Sequence, residues 1–150
     1  MHQFNSLGNT MSEIQLLKIA EEMNVEFPKD YKDFLLQVNV GIPNEKYLSF
    51  FIDELKEEVI LGVLLGYSEN KNFSLLDWHL EYRDELPDDS FIFATSYDGG
   101  LFVMITVGEN KGIYFWDHAF IFEESLEESN VYFLKDNITT FLEDLYYNKI

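Results

Sequence analysis

Over the first forty residues apolar side chains recur three and four apart, the spacing of one face of a helix. Ile14, Leu17, Ala20 and Met23 fall on one such line. Just ahead of it, "TMSE" has the spacing of a capping box, with Thr10 as cap and Glu13 three residues on. A first helix is therefore predicted from about Thr10, with that line facing the core. In "EFPKDYKDFLLQVNVG" Pro28 suits a first helical turn, where its missing N–H costs nothing. Tyr31, Phe34, Leu35 and Val38 then make the buried face of a second helix, ended by Gly41 and Pro43.

From Tyr47 the period changes. "YLSFF" and "EEVILGVLLGY" are short apolar runs rich in aromatic and β-branched residues, which predicts strands. "FSLLDWHLEYRDEL" returns to helical spacing through Phe73, Leu76 and Leu80, and the Pro87, Asp88, Asp89 cluster closes it. Three more strands follow in "SFIFAT", "LFVMITV" and "GIYFWDH", separated by Gly99–Gly100 and by "GENKG". Separators this short favour antiparallel neighbours. "NVYFL" supplies a further strand, and Asp136 caps a last helix with Ile138, Phe141 or Leu142, and Leu145 inward. Hairpins without regular crossover helices predict an α+β fold: one domain over residues 1–150, core about 10–147, with a mainly antiparallel twisted sheet packed against helices.

Composition permits such a core. The 150 residues are 47% hydrophobic with 14 Phe and 9 Tyr, enough to fold without metal or disulfide staples. No apolar run approaches the roughly 20 residues of a membrane span. The start, "MHQFNSLGNT", lacks the basic and apolar regions of a secretory signal. The chain has no cysteine, which excludes thiol catalysis and agrees with a cytoplasmic location. Charge narrows the picture further. The net charge is −18; residues 1–75 hold twelve acids and six bases, residues 76–150 sixteen and four. Such a surface repels nucleic acid and anionic membranes and attracts basic protein surfaces.

Catalytic patterns are missing. His79 has no second histidine four residues away, so the zinc-binding HExxH arrangement is absent, and His2 lies at the terminus. Asp117 and His118 adjoin at a strand end, where consecutive side chains point to opposite faces and form no dyad. The same alternation separates Asp53 from Glu54. Ser96 lacks the strand–Ser–helix context of a nucleophile elbow, and no glycine-rich phosphate loop occurs. "DELPDD" lacks the ligand pattern of an EF-hand. The sequence therefore gives no catalytic residue, metal ligand or cofactor site. In "GIYFWDHAFIFEE", Ile113, Phe115 and Asp117 share one strand face and Tyr114, Trp116 and His118 the other. Both faces are apolar until the end, so Phe115 and Trp116 are predicted to be core and the acids to begin an exposed loop.

"FPKDYKDFLLQVNVGIP", "FIFATSYDGG", "GIYFWDH" and "NVYFLKDNITTFLEDL" together resemble, in the same order, the blocks of the SMI1/KNR4 (SUKH) superfamily over about residues 10–147. Where that family has Asn-Gly-Gly, this chain has Asn39-Val40-Gly41, and Gly99-Gly100 run directly into Leu101-Phe102. The resemblance implies an α+β domain that binds rather than catalyses. Many bacterial members of the superfamily look like immunity proteins that neutralise a polymorphic toxin, often a nuclease; others are regulatory interaction modules.

Charge and resemblance converge on one expectation: a protein partner with a basic surface, namely a cognate toxin with a nuclease domain, and neither nucleic acid nor membrane. The alternative is a regulatory or scaffold module with a cellular protein partner. The expected contact residues are Asp84, Glu85, Asp88 and Asp89, then Asp117, Glu123, Glu124, Glu127 and Glu128, with Tyr97 and Asp98 at the rim.

Overall fold

A computed structural model describes residues 4–43, 48–52, 56–97, 99–117 and 131–147. Helix α1 (Glu13–Met23) starts two residues later than the sequence pattern predicts. Its cap is Ser12, whose Oγ accepts from the Gln15 N–H at 3.1 Å while Gln15 Oε1 accepts from the Ser12 N–H at 3.0 Å. Met11 and Leu16, at the two positions of a hydrophobic staple, are both buried, which favours this start. The buried face is consequently Leu16, Ile19 and Met23; Ile14 and Leu17, expected in the core, face solvent.

Helix α2 (Lys29–Gln37) follows Pro28 and buries Tyr31, Phe34 and Leu35 as expected. It stops before Asn39, which adopts a left-handed φ of 63°. Gly41 and Pro43 belong to a strand beyond that stop.

The strands are β1 (Phe4–Ser6), β2 (Gly41–Pro43), β3 (Leu48–Ile52), β4 (Glu57–Leu64), β5 (Ser90–Ser96), β6 (Leu101–Ile105), β7 (Gly112–Trp116), β8 (Val131–Lys135) and β9 (Tyr146–Tyr147). Their order is β1-β2-β4-β5-β6-β7-β8, with β3 joining β4 to β9, and every pairing is antiparallel. The α+β prediction holds.

Helix α3 (Leu75–Tyr82) buries Leu75 and His79 in place of the predicted line; Leu80 is exposed. Helix α4 (Ile138–Asp144) is capped by Asn137, whose side chain accepts from the Thr140 N–H at 2.8 Å, one residue after the predicted Asp136. Its inward residues, Ile138, Phe141 and Leu142, are those expected.

Strands β6 and β7 are buried at every residue because helices cover both sides. On one face Phe141 of α4 meets Phe93 at 5.7 Å and Phe102 at 5.5 Å, and Phe102 lies opposite Phe115 at 5.4 Å. Tyr31 of α2 reaches Phe91 at 5.4 Å. Trp116 points the other way by alternation and is met edge-on by Tyr82 at the end of α3, 6.1 Å away. Phe115 and Trp116 are thus core, and each such ring contributes about 1.5–3 kcal/mol by leaving water.

Candidate functional site at the two ends of the sheet

The expected contact residues fall at opposite ends of the central strands. After α3 the chain makes a single 3-10 turn, Arg83–Glu85, and Leu86 plugs into the core. Asp88 and Asp89 form the turn into β5. That turn is held from two sides: Ser90 Oγ donates to the Pro87 carbonyl at 2.6 Å, and the Asp89 carbonyl accepts from both N–H and Oγ1 of Thr106 at 2.9 and 3.0 Å. Asp89 takes a left-handed φ of 58°, a conformation that Asp tolerates better than most residues. Asp84, Asp88 and Asp89 are exposed, whereas Glu85 is half-buried. Neither ion pair found among the described residues, Lys29–Asp33 or Lys135–Asp144, involves them. Burial, reinforced by the charges of Glu81 and Glu85, raises the pKa of the neighbouring Tyr82 hydroxyl.

Tyr97 and Asp117 occupy the other end. The register pairs Thr95 with Leu101, Leu101 with Trp116 and Trp116 with Val131. Tyr97, just past β5, is 61% exposed, and Asp117, just past β7, is exposed. Seven residues of β5 therefore separate this pair from Asp89, about 25 Å at the usual strand rise. Asp98, Glu123, Glu124, Glu127 and Glu128 lie outside the described residues, as do His2, Asp53, Glu54 and His118. The flanks of the 118–130 segment, Trp116 and Val131, are paired at the Tyr97 end.

The reversal beside Tyr97 is built by Ser96, whose Oγ accepts from the Gly100 N–H at 2.9 Å while its own N–H donates to the Gly100 carbonyl at 2.9 Å. His79 sits inside the protein against the Met23 carbonyl, one turn before Arg83. Among the described residues no group of three His, Cys, Asp or Glu is placed to hold a metal. No helix among them is long and apolar enough to cross a membrane.

The SMI1/KNR4 family model (SUKH-1) matches residues 10–144. The chain belongs to the SMI1/KNR4 family. No curated protein and no solved structure matches it. The SMI1/KNR4 fold is a non-catalytic protein-interaction module, often linked to toxin–immunity systems.

Two positions in the family-like blocks acquire a structural meaning here. Asn39, of the "NVG" block, is a buried cross-link between three parts of the chain, and Gly100 lies against the ring of Phe115. The sequence reading gave Asn39 no role, although an asparagine just past an apolar helix, with glycine two residues on, signals a left-handed stop. Two further surface features were also missed: the outward Ile14–Leu17 pair on α1, and Glu21 and Glu26, which share a cleft with Asp89.

Proposed function

We propose that this SMI1/KNR4 domain is an immunity protein. It binds a cognate toxin, of the nuclease class, and covers the basic surface on which that toxin holds its substrate. The observation that carries the reading is the Asp84–Asp89 turn, whose exposed carboxylates ride on a backbone pinned by Ser90 and Thr106. Carboxylates held this way lose little freedom on meeting lysine or arginine, and on a chain of net charge −18 they add to a long-range field. A nuclease must carry basic residues to grip phosphates, so an acidic cap competes directly with its substrate. Neutralisation on this mechanism needs occupancy alone, and no bond in the toxin changes. Asp117 and Tyr97, with Asp98 and the acids at 123–128, make a second candidate patch at the far end of the sheet.

Calorimetric titration against the purified toxic domain encoded beside the gene, at low and moderate salt, tests the proposal. Nanomolar binding that weakens with salt is expected. No binding at either salt removes that toxin as the target and favours the regulatory-module alternative.

A further inference from the structure

Helix α1 is apolar on two sides. Its inner side is filled by Leu16, Ile19 and Met23, which leaves no place in the core for Ile14 and Leu17. Ile14 is 79% exposed and Leu17 is 63% exposed. Single exposed aliphatic residues are ordinary. Here two lie three residues apart on one helix face, and Glu21 follows four residues after Leu17 on that same face.

Glu21 is also the first wall of a cleft of about 380 Å³ between the end of α1 and the start of β5, whose other acidic walls are Glu26 and Asp89. Among the described residues no lysine, arginine or histidine lines it, and the one cation on this outer face is the exposed Lys18, a turn after Ile14. Continuing along the helix from Ile14 therefore leads, over about 10 Å, from an aliphatic patch into a cleft ringed by three carboxylates.

We infer that this outer face of α1 is a docking surface for a segment of a basic protein partner. The segment presents one or two aliphatic side chains to Ile14 and Leu17 and a lysine or arginine to the Glu21–Glu26–Asp89 cleft. Charge complementarity selects this occupant. A second copy of the chain would bring another strongly acidic surface against these carboxylates, and a lipid surface would present anionic headgroups to them. A desolvated aliphatic centre beside a charged rim is also the usual arrangement of a specific interface. The inference deepens the immunity reading and rests on it for the choice of toxin as partner.

The test uses the full chain, the wild type and two variants, Ile14→Ser/Leu17→Ser and Glu21→Gln/Glu26→Gln. All four positions are outside the core, so thermal unfolding confirms that each variant folds. Against the toxic domain encoded beside the gene, the first variant is expected to bind roughly tenfold or more weakly, and the second to lose part of its salt dependence. Unchanged affinity in both variants, with a wild type that still binds tightly, overturns the docking surface and leaves the immunity reading standing. In parallel, ¹⁵N-labelled protein is titrated with a synthetic leucine–lysine amphipathic peptide. Saturable shifts confined to Ile14, Leu17, Glu21 and their neighbours support the surface even where the toxin fails to bind, an outcome that defeats the immunity reading alone. Shifts elsewhere, no saturation, or a wild-type dimer that the serine variant abolishes overturn it.

Discussion

The side chain of Asn39 satisfies both backbone groups of Tyr67: its Oδ1 accepts from the Tyr67 N–H at 2.7 Å, and its Nδ2 donates to the Tyr67 carbonyl at 2.9 Å. The second hydrogen of Nδ2 goes to the Asn9 carbonyl at 3.0 Å. One buried amide thus ties the lead into α1, the end of α2 and the segment after β4. Gly66 is the neighbour that makes room, since a Cβ there would stand 2.3 Å from Asn39 Oδ1. Only an amide offers an acceptor and two donors at these positions. Asn39→Asp replaces the donors with an oxygen facing two carbonyls, and is expected to cost about 2–4 kcal/mol. Urea unfolding near neutral pH checks this; an unchanged midpoint would mean that the cross-link contributes nothing.

Gly100 and Phe115 make the second close approach. A Cβ on Gly100 would lie 2.2 Å from Phe115 Cζ and 2.5 Å from Cε1, so the buried ring must move. Gly100→Ala is expected to destabilise by about 1–3 kcal/mol. Phe115→Leu removes the obstructing ring edge, so the double variant should lose less than the two single losses combined. Strict additivity in thermal unfolding would show that the ring is not what constrains Gly100.

Tyr31 is 1% exposed, and its hydroxyl has no hydrogen-bond partner among the described residues. Burial accordingly pushes its pKa strongly upward. A lone buried hydroxyl has already lost its water at a cost of roughly 1–3 kcal/mol. Tyr31→Phe keeps the packing on Phe27, Phe91 and Phe93 while removing that group. The variant should be as stable as the parent or more so. A fall in melting temperature of several degrees would reveal a partner for the hydroxyl.

The central strands are plain in the sequence because they are apolar runs bounded by glycine and charge, whereas β1, β2 and β9 are two or three residues long, carry no such run, and are defined only by the strands they pair with. "LFVMI" and "GIYFW" admit no other reading once tight turns separate them. Helix faces are less legible. In α1 the set Ile14, Leu17 and the set Leu16, Ile19, Met23 both have helical period, and periodicity alone does not choose between them. The choice is made by Ser12 and Met11 at the helix start and by the neighbours that α1 meets. Likewise α3 buries His79, a residue that polarity assigns to the surface. The acidic residues were found as types, but not their grouping. Asp89 and Tyr97 are eight residues apart in sequence and sit at opposite ends of β5, whereas Tyr97 and Asp117, twenty apart, share an end through the register of β5, β6 and β7. Contacts such as Thr139 Oγ1 donating to Asp30 at 3.0 Å, across 109 residues, leave no local trace at all.

His79 gives the fold a dependence on pH. Burial lowers its pKa from the ordinary 6.5; a hydrogen bond to the Met23 carbonyl opposes this, and the nearby Arg83 charge lowers it further. Its Nδ1 has no partner among the described residues. The unfolded chain takes up a proton near pH 6.5, while the folded protein does so only at lower pH. Between those values the unfolded state binds more protons, so stability rises with pH. The contribution is complete above about pH 6.5 and is lost as pH falls through the folded value. Urea midpoints from pH 8 to pH 5 should therefore fall more steeply for the wild type than for His79→Gln, in which the carboxylates titrate alike. Parallel profiles would show that His79 carries none of the dependence.

The two ends of β5, about 25 Å apart, cannot both lie at the centre of one contact. Interfaces of ordinary size bury about 800 Å² on each side, a patch roughly 30 Å across, and their binding energy concentrates near the centre. A partner centred on one end therefore reaches about 15 Å and leaves the other end beyond its rim, where charges affect approach more than residence. On the proposed reading, the cleft that Asp89 shares with Glu21 and Glu26, next to the aliphatic face of α1, makes the β5 start the expected centre. Asp84→Lys/Asp88→Lys is expected to slow association with the toxic domain by about tenfold at low salt, to reduce its salt dependence, and to speed dissociation as well. Asp117→Lys with Tyr97→Ala, at the far end, should change the association rate by less and leave dissociation nearly as it was. Stopped-flow association and dissociation at two salt concentrations separate these effects. A larger change in dissociation from the Asp117 variant would move the centre of the contact to the Tyr97 end, where β7 and β8 flank the segment holding Glu123, Glu124, Glu127 and Glu128.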